Sequence, residues 1–377
     1  MKSKNKTVVV GMSGGVDSSV AAYLLKEQGY NVVGLFMKNW EETNDKGCCS
    51  AEHDFSDVKR VCEVLDIPYY SIDFSRQYMD NVFAHFLDGL KRGITPNPDI
   101  LCNREIKFGP FLEFADKLGA DFIATGHYCK VKDGGLMRAH DTEKDQTYFL
   151  CALTPKQLSR VMFPLGGMLK TEVRKIAKKL GLVTSEKKDS TGICFIGERN
   201  FRNFMETYLG SQPGDIKTLD GEKVGKHGGL MYYTIGQRKG LGIGGKRTCA
   251  ASSGTCVENL ACTFSEQVPE KAATRWFVVR KDLDTNTLYV NNGDCPELYS
   301  KSLVAKNFNW IKQPANDTFE CTAKTRYRQP DQECRVTLTD SCKVTFAKPQ
   351  RAITPGQWVV LYDGDAVLGG GEISEVI

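Results

Sequence analysis

The sequence contains no uninterrupted apolar stretch long enough to cross a bilayer, so nothing in it predicts a membrane-spanning helix or a membrane partner. Basic residues precede an apolar run at its start, but that run is too short for a signal peptide and leads straight into a glycine-rich loop. We interpret this run as a buried strand. A hydrophobic content of 41% and a charged content of 25% are ordinary for a water-soluble protein.

The 14 cysteines include no pair with the C-x-x-C spacing that is typical of zinc ribbons and iron–sulfur sites. Disulfide frameworks belong mainly to small secreted chains, whereas 377 residues suffice for two or three domains with cores of their own. We therefore predict a cytoplasmic protein in which most thiols are small buried side chains.

The net charge of +4 is too small to indicate a nucleic-acid partner by itself. Residues 151–210 carry 11 Lys and Arg against 5 Asp and Glu, a local excess of six positive charges. Such a run is explained either by contact with RNA phosphates or by a solvated helix face, and the sequence leaves both explanations open.

Strand-like and helix-like segments alternate from Thr7 to about Leu180. The predicted strands are Thr7–Gly11, Asn31–Met37, Tyr69–Asp73 and Asp121–Thr125, and the predicted helices are Ser18–Gln28, Asp54–Leu65, Gln77–Arg92 and Glu105–Leu118. This alternation predicts an α/β fold with a Rossmann-like parallel sheet, in which ligands collect at the carboxyl ends of the strands. Gly11, Met37 and Gly126 lie at such ends, which predicts one nucleotide pocket.

The character of the chain changes after about Phe204. Glycine is dense from Gly221 to Arg247, which predicts a small β-rich domain, and short alternating strands from about Trp276 onward predict a β-barrel. The expected domains are therefore residues 1–204, 205–275 and 276–377.

The glycine-rich loop reads GMSGGVDSSV, from Gly11 to Val20, and contains no lysine. Its spacing fits neither a Walker A loop nor a G-x-G-x-x-G fingerprint. Because it joins a strand to the start of a helix, its free amides and the positive end of the helix dipole favour an anion. The simpler alternative is a tight turn in which Asp17 merely caps the helix.

Two further stretches present cysteines in loops that also hold carboxylates and cations. In TPNPDILCNREIKFG, two prolines fix the backbone before Asp99 and Cys102, which predicts a thiol directly ahead of a helix, where Arg104 or Lys107 would favour the thiolate. In KKDSTGICFIGERNF, Cys194 follows a glycine and two lysines. Either cysteine alone indicates a structural role, but the two similar settings together favour function.

The string SGGVDS resembles the PP-loop of ATP pyrophosphatases, which cleave ATP between the α and β phosphates. Strings spanning Gly11 to Ile373 resemble, in order, the bacterial tRNA-specific 2-thiouridylase family, including GMSGGVDSSV, GLFMKNW, TPNPDILCN, ATGHY, KKDSTGICFIGERNF, YYTIGQRKGLGIGG and LGGGEI. The resemblance implies a sulfurtransferase that replaces the C2 oxygen of the wobble uridine of lysine, glutamate and glutamine tRNAs, releasing AMP and pyrophosphate.

The resemblance also implies ATP and Mg²⁺ as cofactors. The ATP-binding positions that it implies are Gly11, Met12, Ser13, Gly14, Gly15, Val16, Asp17, Ser18, Met37 and Gly126, with Asp17 as the candidate metal contact through Mg-ATP. Cys194 would carry a persulfide delivered by a cysteine desulfurase or a sulfur-relay protein. Cys102 would act as the nucleophile, with a transient Cys102–Cys194 disulfide, and Asp99 as general acid/base. Whether hydrosulfide or the persulfide itself attacks the base stays open.

The remaining matched positions are tRNA or target-base contacts by resemblance: Asn97, Pro98, Asp99, His127, Lys144, Asp145, Gln146, Arg326, Tyr327 and Gln357. For His127 a hydrogen-bonded structural role is the alternative. Two other functions are consistent with a PP-loop: a synthetase acting on a small metabolite, which leaves both cysteines unexplained, and an RNA-binding module with a vestigial nucleotide site, which would require a damaged loop.

Overall fold

The computed structural model describes residues 6–40, 50–189, 201–244 and 275–377. The chain divides into two compact units, one formed by Met1–Gly210 with Ser300–Ile377 and the other by Ser211–Tyr299. None of the helices in these described ranges has the length and apolar composition needed to cross a membrane.

Across the described residues the strands are β1 (Thr7–Met12), β2 (Asn31–Lys38), β3 (Tyr69–Asp73), β4 (Phe122–Ala124), β5 (Lys130–Lys132), β6 (Gly135–Met137), β7 (Val161–Met162), β8 (Gly214–Thr218), β9 (Lys223–His227), β10 (Trp276–Asp282), β11 (Thr287–Asn292), β12 (Tyr299–Trp310), β13 (Thr318–Lys324), β14 (Gln332–Leu338), β15 (Cys342–Arg351), β16 (Trp358–Asp363) and β17 (Ala366–Val376). The α-helices are α1 (Val16–Glu27), α2 (Ser50–Leu65), α3 (Ser75–Tyr78), α4 (Ala84–Lys91), α5 (Pro98–Cys102), α6 (Pro110–Lys117), α7 (Thr147–Leu150), α8 (Pro155–Leu158), α9 (Lys170–Lys179) and α10 (Phe201–Leu209). Met79–Phe83 and Asn103–Lys107 form π-helical turns, and Leu230–Tyr232 and Pro296–Leu298 form 3₁₀ turns.

The first sheet has the strand order β3-β2-β1-β4-β7, and all of its pairings are parallel. The central strand is a run of β-branched residues, Val8, Val9 and Val10, which are completely buried, as a strand covered on both faces should be. This confirms the predicted Rossmann-like sheet. The strand order reverses between β1 and β4, so the ligand crevice of this fold lies beyond the carboxyl ends of these two strands.

The second unit contains a four-stranded sheet with the order β10-β11-β8-β9. β11 pairs in parallel with β8, and β10 pairs antiparallel with β11. The middle sheet therefore extends to Asn292, beyond the domain boundary at 275/276 that the sequence suggested, because alternation identifies a strand but not the sheet that it joins.

The last domain is a closed six-stranded barrel, which confirms the predicted β-barrel. Its order is β12-β15-β14-β13-β16-β17, and pairing of β12 with β17 closes it. The β5–β6 hairpin of the first domain extends the barrel's sheet where Met137 pairs with Ala366. Beside this junction Arg138 forms a salt bridge with Asp331, in which Nη2 lies 2.8 Å from Oδ1 and 2.9 Å from Oδ2.

Candidate nucleotide site and cysteine segment

The glycine-rich loop requires glycine at its tightest point. Gly14 has φ +71°, and a Cβ at this position would lie 2.7 Å from the carbonyl oxygen of Asp54. The N-cap of α1 is Gly15, which has no side chain that could cap the helix. The hydroxyl of Ser18, in the first turn, accepts a hydrogen bond from the amide of Ser13 at 3.2 Å. The helix thus begins without a side-chain cap from Asp17, and its first amides face the loop.

Gly126 brings the end of β4 against the first turn of α1. A Cβ on Gly126 would lie 2.7 Å from the amide nitrogen of Ser18 and 2.8 Å from the carbonyl carbon of Asp17, so only glycine fits here. On the other side of β1, a Cβ at Gly11 would lie 3.4 Å from the Cε of Met37. The structure therefore brings together the three strand-end positions from which a nucleotide pocket was predicted.

A lysine reaches the loop from another helix. Lys170, the first residue of α9, donates from Nζ to both carboxylate oxygens of Asp17, at 2.8 and 2.7 Å, and the Tyr128 hydroxyl donates to Oδ1 at 2.9 Å. The same Nζ lies 2.8 Å from Oδ1 of Asp189. The sequence argument missed Lys170, because nothing along the chain shows that a residue 153 positions away pairs with Asp17.

These contacts bear on magnesium at Asp17. Both oxygens of this carboxylate accept hydrogen bonds from Lys170, so a metal ion bound there would share the carboxylate with the lysine or displace it. In nucleotide sites Mg²⁺ is usually bound by one or two carboxylates together with the phosphates of the substrate. The observed contacts of Asp17 are those of a salt bridge, and its role as a metal contact through Mg-ATP stays a prediction.

A second lysine secures the other side of the loop. Lys187 Nζ donates to the carbonyl oxygen of Gly14 at 2.8 Å and to the carboxylates of Asp54 and Asp57 at 2.8 and 2.6 Å. Burial alone would lower the pKa of Lys187, but the hydrogen bonds to the two carboxylates raise it above its ordinary value. His53, Asp54 and Asp57 group their ligand atoms within 4.8 Å, yet a cation there would compete with this lysine.

The cysteine segment differs from its predicted form. Asn97 caps α5 by accepting from the amides of Asp99 and Ile100, both at 3.2 Å, and Pro98 occupies the first turn. Cys102 is the last residue of this five-residue helix, directly ahead of the π-helical turn Asn103–Lys107, and is completely buried, so the prediction that a loop presents this thiol is wrong. The prolines start a short helix, and the cysteine ends it, because the chain continues into the π-helical turn Asn103–Lys107.

The cysteine segment packs at the same edge of the parallel sheet. Phe111 of α6 lies 3.5 Å from a Cβ position on Gly11, and the ring centroid of Phe108 lies 6.0 Å from that of His127, which follows Gly126. His127 Nδ1 lies 2.8 Å from the Thr125 hydroxyl. Burial, aided by the charge of Lys107, holds the pKa of His127 well below its usual range, so this ring is neutral.

A turn of the barrel backs the loop that leads to Cys102. The amide of Thr95 donates to the carbonyl of Pro355, and the side-chain amide of Gln357 donates to the carbonyl of Thr95, both at 2.9 Å. Gly356 has φ +88°, and a Cβ there would lie 2.9 Å from backbone atoms of Thr95. Gln357, a tRNA contact by resemblance, thus holds the cysteine segment.

The predicted loop at residues 144–146 is tied to the protein by all three side chains. Lys144 Nζ lies 2.7 Å from Asp189 Oδ2, and the buried carboxylate of Asp145 accepts from the Ala139 amide at 2.9 Å. Gln146 accepts from the Tyr128 amide at 2.9 Å. Their observed contacts are internal, and their tRNA role stays a prediction.

Of the two barrel residues Arg326 and Tyr327, Tyr327 is linked to the cysteine segment through Phe149. Arg326 donates to the carbonyl of Ala352 at 2.9 Å, and burial lowers its pKa. The Tyr327 ring packs against Phe149 in a tilted arrangement with centroids 4.4 Å apart, and the carbonyl of Phe149 accepts from Asn103, the residue after Cys102. Cys194 lies outside the described residues.

Three family models match the chain in succession. The tRNA methyl transferase HUP domain matches residues 6–198, the tRNA methyl transferase PRC-barrel domain matches residues 202–292, and the aminomethyltransferase beta-barrel domain matches residues 300–373. A protein of Geobacillus kaustophilus, named tRNA-specific 2-thiouridylase MnmA 1, is 54% identical, over 99% of this chain and 97% of its own. A protein of Oceanobacillus iheyensis, named tRNA-specific 2-thiouridylase MnmA, is 55% identical, over 99% of this chain and 96% of its own.

The chain belongs to the tRNA-specific 2-thiouridylase family. The model descriptions name a methyl transferase, but relatives more than half identical over nearly their whole length decide the assignment. A solved U34-tRNA thiolase of Methanococcus maripaludis is 20% identical over 55% of this chain and 68% of its own, with a TM-score of 0.34, too distant to refine the site of this thiouridylase.

Proposed function

We propose that this protein is an ATP-dependent tRNA sulfurtransferase that places sulfur at C2 of the wobble uridine, as the names of its relatives describe. The observation that carries the proposal is the full-length identity of 54–55% to proteins named tRNA-specific 2-thiouridylase. The glycine loop and the cysteine segment, which meet at one edge of the parallel sheet through Gly11 and Phe111, support it.

ATP activates the uridine in this proposal. The C2 oxygen is a poor leaving group, and its attack on the α phosphate of ATP converts it into an AMP ester and releases pyrophosphate. The loop supports this step, because Gly14 and Gly15 open the start of α1 and leave its amides to bind phosphate oxygens. Magnesium would accompany the bound ATP, and Asp17, which pairs with Lys170 here, would be its candidate protein contact.

Two cysteines supply the sulfur. In one route the thiolate of Cys102 attacks the persulfide of Cys194, a Cys102–Cys194 disulfide forms, and hydrosulfide leaves. Hydrosulfide then attacks C2 and the bond to AMP breaks, after which a thiol reductant returns two electrons to the disulfide. In the other route the terminal persulfide sulfur attacks C2 and the bond to AMP breaks. Cys102 then attacks Cys194 Sγ, which leaves the sulfur on the base and forms the Cys102–Cys194 disulfide, and the same thiol reductant reduces it.

We further propose that Asp99, in the first turn of α5 and three residues before Cys102, transfers the proton at the target base. Asn97, Pro98 and His127 would surround that base, and Arg326 with Tyr327 would meet the tRNA. Cation and aromatic side chains suit RNA, since phosphate attraction and base stacking act together. Lysine, glutamate and glutamine tRNAs would be the substrates, and a cysteine desulfurase or relay protein the sulfur donor.

Incubation of the purified protein with ATP, magnesium, a sulfide donor and unmodified tRNA carrying a wobble uridine tests the function. Nucleoside mass analysis should find 2-thiouridine, and chromatography should find AMP rather than ADP. Omission of ATP should abolish both products. Sulfur incorporation that is independent of ATP, or ADP as the nucleotide product, would contradict the proposal.

A further inference from the structure

Lys170 is a cation in an electrostatically unfavourable place. It is the first residue of α9, where the positive end of the helix dipole disfavours a positive side chain, and that side chain is only 10% exposed. A nearly buried ammonium is tolerated when hydrogen-bonded carboxylates surround it. The protein meets this requirement with Asp17 and Asp189, which lie 2.7 and 2.8 Å from Nζ.

The nucleotide loop carries a negative side chain and no positive one of its own. Asp17 is the one charged residue between Ser13 and Ser18, so a polyphosphate bound to this loop would meet a carboxylate and no cation from the loop itself. Within the described residues, Lys170 is the one cation paired with Asp17, since the other partner, the Tyr128 hydroxyl, is neutral. Lys170 therefore neutralises the one charged side chain of this loop.

Asp189, by contrast, has other partners. Lys144 Nζ lies 2.7 Å from its Oδ2 and Arg174 Nη2 lies 2.8 Å from its Oδ1. Burial raises the pKa of Asp189, but hydrogen bonds from Lys144 and Lys170 outweigh it and hold this pKa at about 2. The carboxylate stays paired with two cations when Lys170 leaves, so the Lys170–Asp189 contact is the exchangeable one.

We propose that Lys170 is a phosphate-binding residue of the nucleotide site, whose ammonium turns from Asp189 to the phosphate chain of ATP while it keeps Asp17. The lysine absent from the loop is thus supplied by α9. The inference rests on the use of ATP in the proposed function and adds to it the residue that recognises the polyphosphate. One N–H donor passes from a carboxylate oxygen to a phosphate oxygen, and no covalent bond changes.

Calorimetric titration of the full-length protein with ATP and with adenosine, at fixed magnesium and salt, tests the inference. Lys170→Met should raise the dissociation constant for ATP by at least about tenfold, the effect of one hydrogen bond between charged groups, and that for adenosine by less than about twofold. Lys178→Met, on the same helix but with an exposed side chain, is the matched control and should change neither constant.

A second pair of variants separates contact from neutralisation. In an Asp17→Asn background there is no carboxylate to neutralise. If the ammonium contacts phosphate, Lys170→Met should still raise the dissociation constant for ATP at least about fivefold in that background. This pair also leaves no unpaired charge at Asp17, which protects folding. Equal ATP affinity of Asp17→Asn with and without Lys170→Met would overturn the inference.

The quantity that decides the test is the ratio of the dissociation constant for ATP to that for adenosine. A general loss of the pocket weakens both ligands together, leaves that ratio unchanged and counts against the inference. Wild-type protein that binds no ATP would overturn the inference together with the proposed function. Wild-type protein that binds ATP, with a ratio unchanged by Lys170→Met, would overturn the inference alone.

Discussion

The side-chain amide of Gln357 donates a hydrogen bond to the backbone carbonyl of Thr95 across 2.9 Å. A residue of the C-terminal barrel thus fixes the start of the segment that carries Asp99 and Cys102. By family resemblance Gln357 is a tRNA contact, whereas its observed partner makes it a positioning residue. Loss of a positioning residue lowers kcat, whereas loss of a tRNA contact raises the Kd for tRNA.

Replacing Gln357 with methionine should therefore slow thiolation more than it weakens RNA binding. Loss of one neutral hydrogen bond is worth about 1 kcal/mol, so kcat should fall about fivefold while the tRNA Kd stays within about twofold. Single-turnover thiolation and filter binding measure the two quantities. Gln313→Met, at an exposed barrel position, is the control. An increase in Kd with kcat unchanged would instead favour direct RNA contact.

Serine variants test the two cysteines that the family resemblance selects. Cys102→Ser and Cys194→Ser should each lower the thiolation rate by at least about a thousandfold, because each removes a sulfur through which the reaction proceeds. Their tRNA affinity should change by less than about twofold. Cys295→Ser, at a partly exposed thiol of the second unit, should keep full activity. Normal thiolation by either of the first two variants would refute its assigned role.

A cysteine pair in the barrel should oxidise independently of the reaction. Cys321 and Cys334 are directly opposed on β13 and β14, with their sulfur atoms 3.7 Å apart. A small-molecule disulfide oxidant should link them, with both protons and two electrons leaving the thiols. Peptide mapping under non-reducing conditions should find this link in wild type and not in Cys321→Ser. Its absence in wild type after oxidation would contradict the prediction, and its presence complicates thiol counts meant to detect Cys102–Cys194.

His127 should make stability depend on pH. Burial lowers its pKa in the folded state, so below the ordinary value of about 6.5 the unfolded chain binds more protons, and folding loses stability as the pH falls. Urea unfolding should show wild type losing up to about 1.4 kcal/mol per pH unit between about pH 6.5 and 5 more than His127→Asn. His85→Asn, at an exposed position of α4, should follow wild type. Parallel wild-type and His127→Asn curves would contradict the burial argument.

The cation-rich run of residues 151–210 is less available to RNA than its charge count suggests. Six of its 11 Lys and Arg are ion-paired within the described residues, namely Arg160, Lys170, Arg174, Lys178, Lys187 and Arg202. The exposed Lys175 and Lys179 of α9 are four residues apart and share a face.

If that face of α9 binds phosphates, Lys175→Ala with Lys179→Ala should flatten the dependence of log K on log salt for tRNA by at least about one unit. Binding measured across a salt series gives this slope. Lys59→Ala with Arg60→Ala, an exposed pair on α2, is the matched charge control. An unchanged slope would remove α9 from the RNA interface.

The sequence correctly predicted the features that depend only on residues close together along the chain. β-branched Val8–Val10 and the glycine spacing predicted the central strand and the loop after it, and both are observed. It failed where distant residues decide the outcome: the pairing of Lys170 with Asp17 and the β5–β6 hairpin on the barrel. Cys102 was misplaced because the pattern does not show where a short proline-started helix ends.

The pairing of Met137 with Ala366 has a consequence for synthesis of the chain. The ribosome completes the β5–β6 hairpin long before it makes β17, so the β6 edge of that hairpin stays without its neighbour until β17 has been translated. An unpaired edge of this kind invites pairing with other chains. A nascent polypeptide stalled short of the barrel should therefore be the aggregation-prone form of this protein.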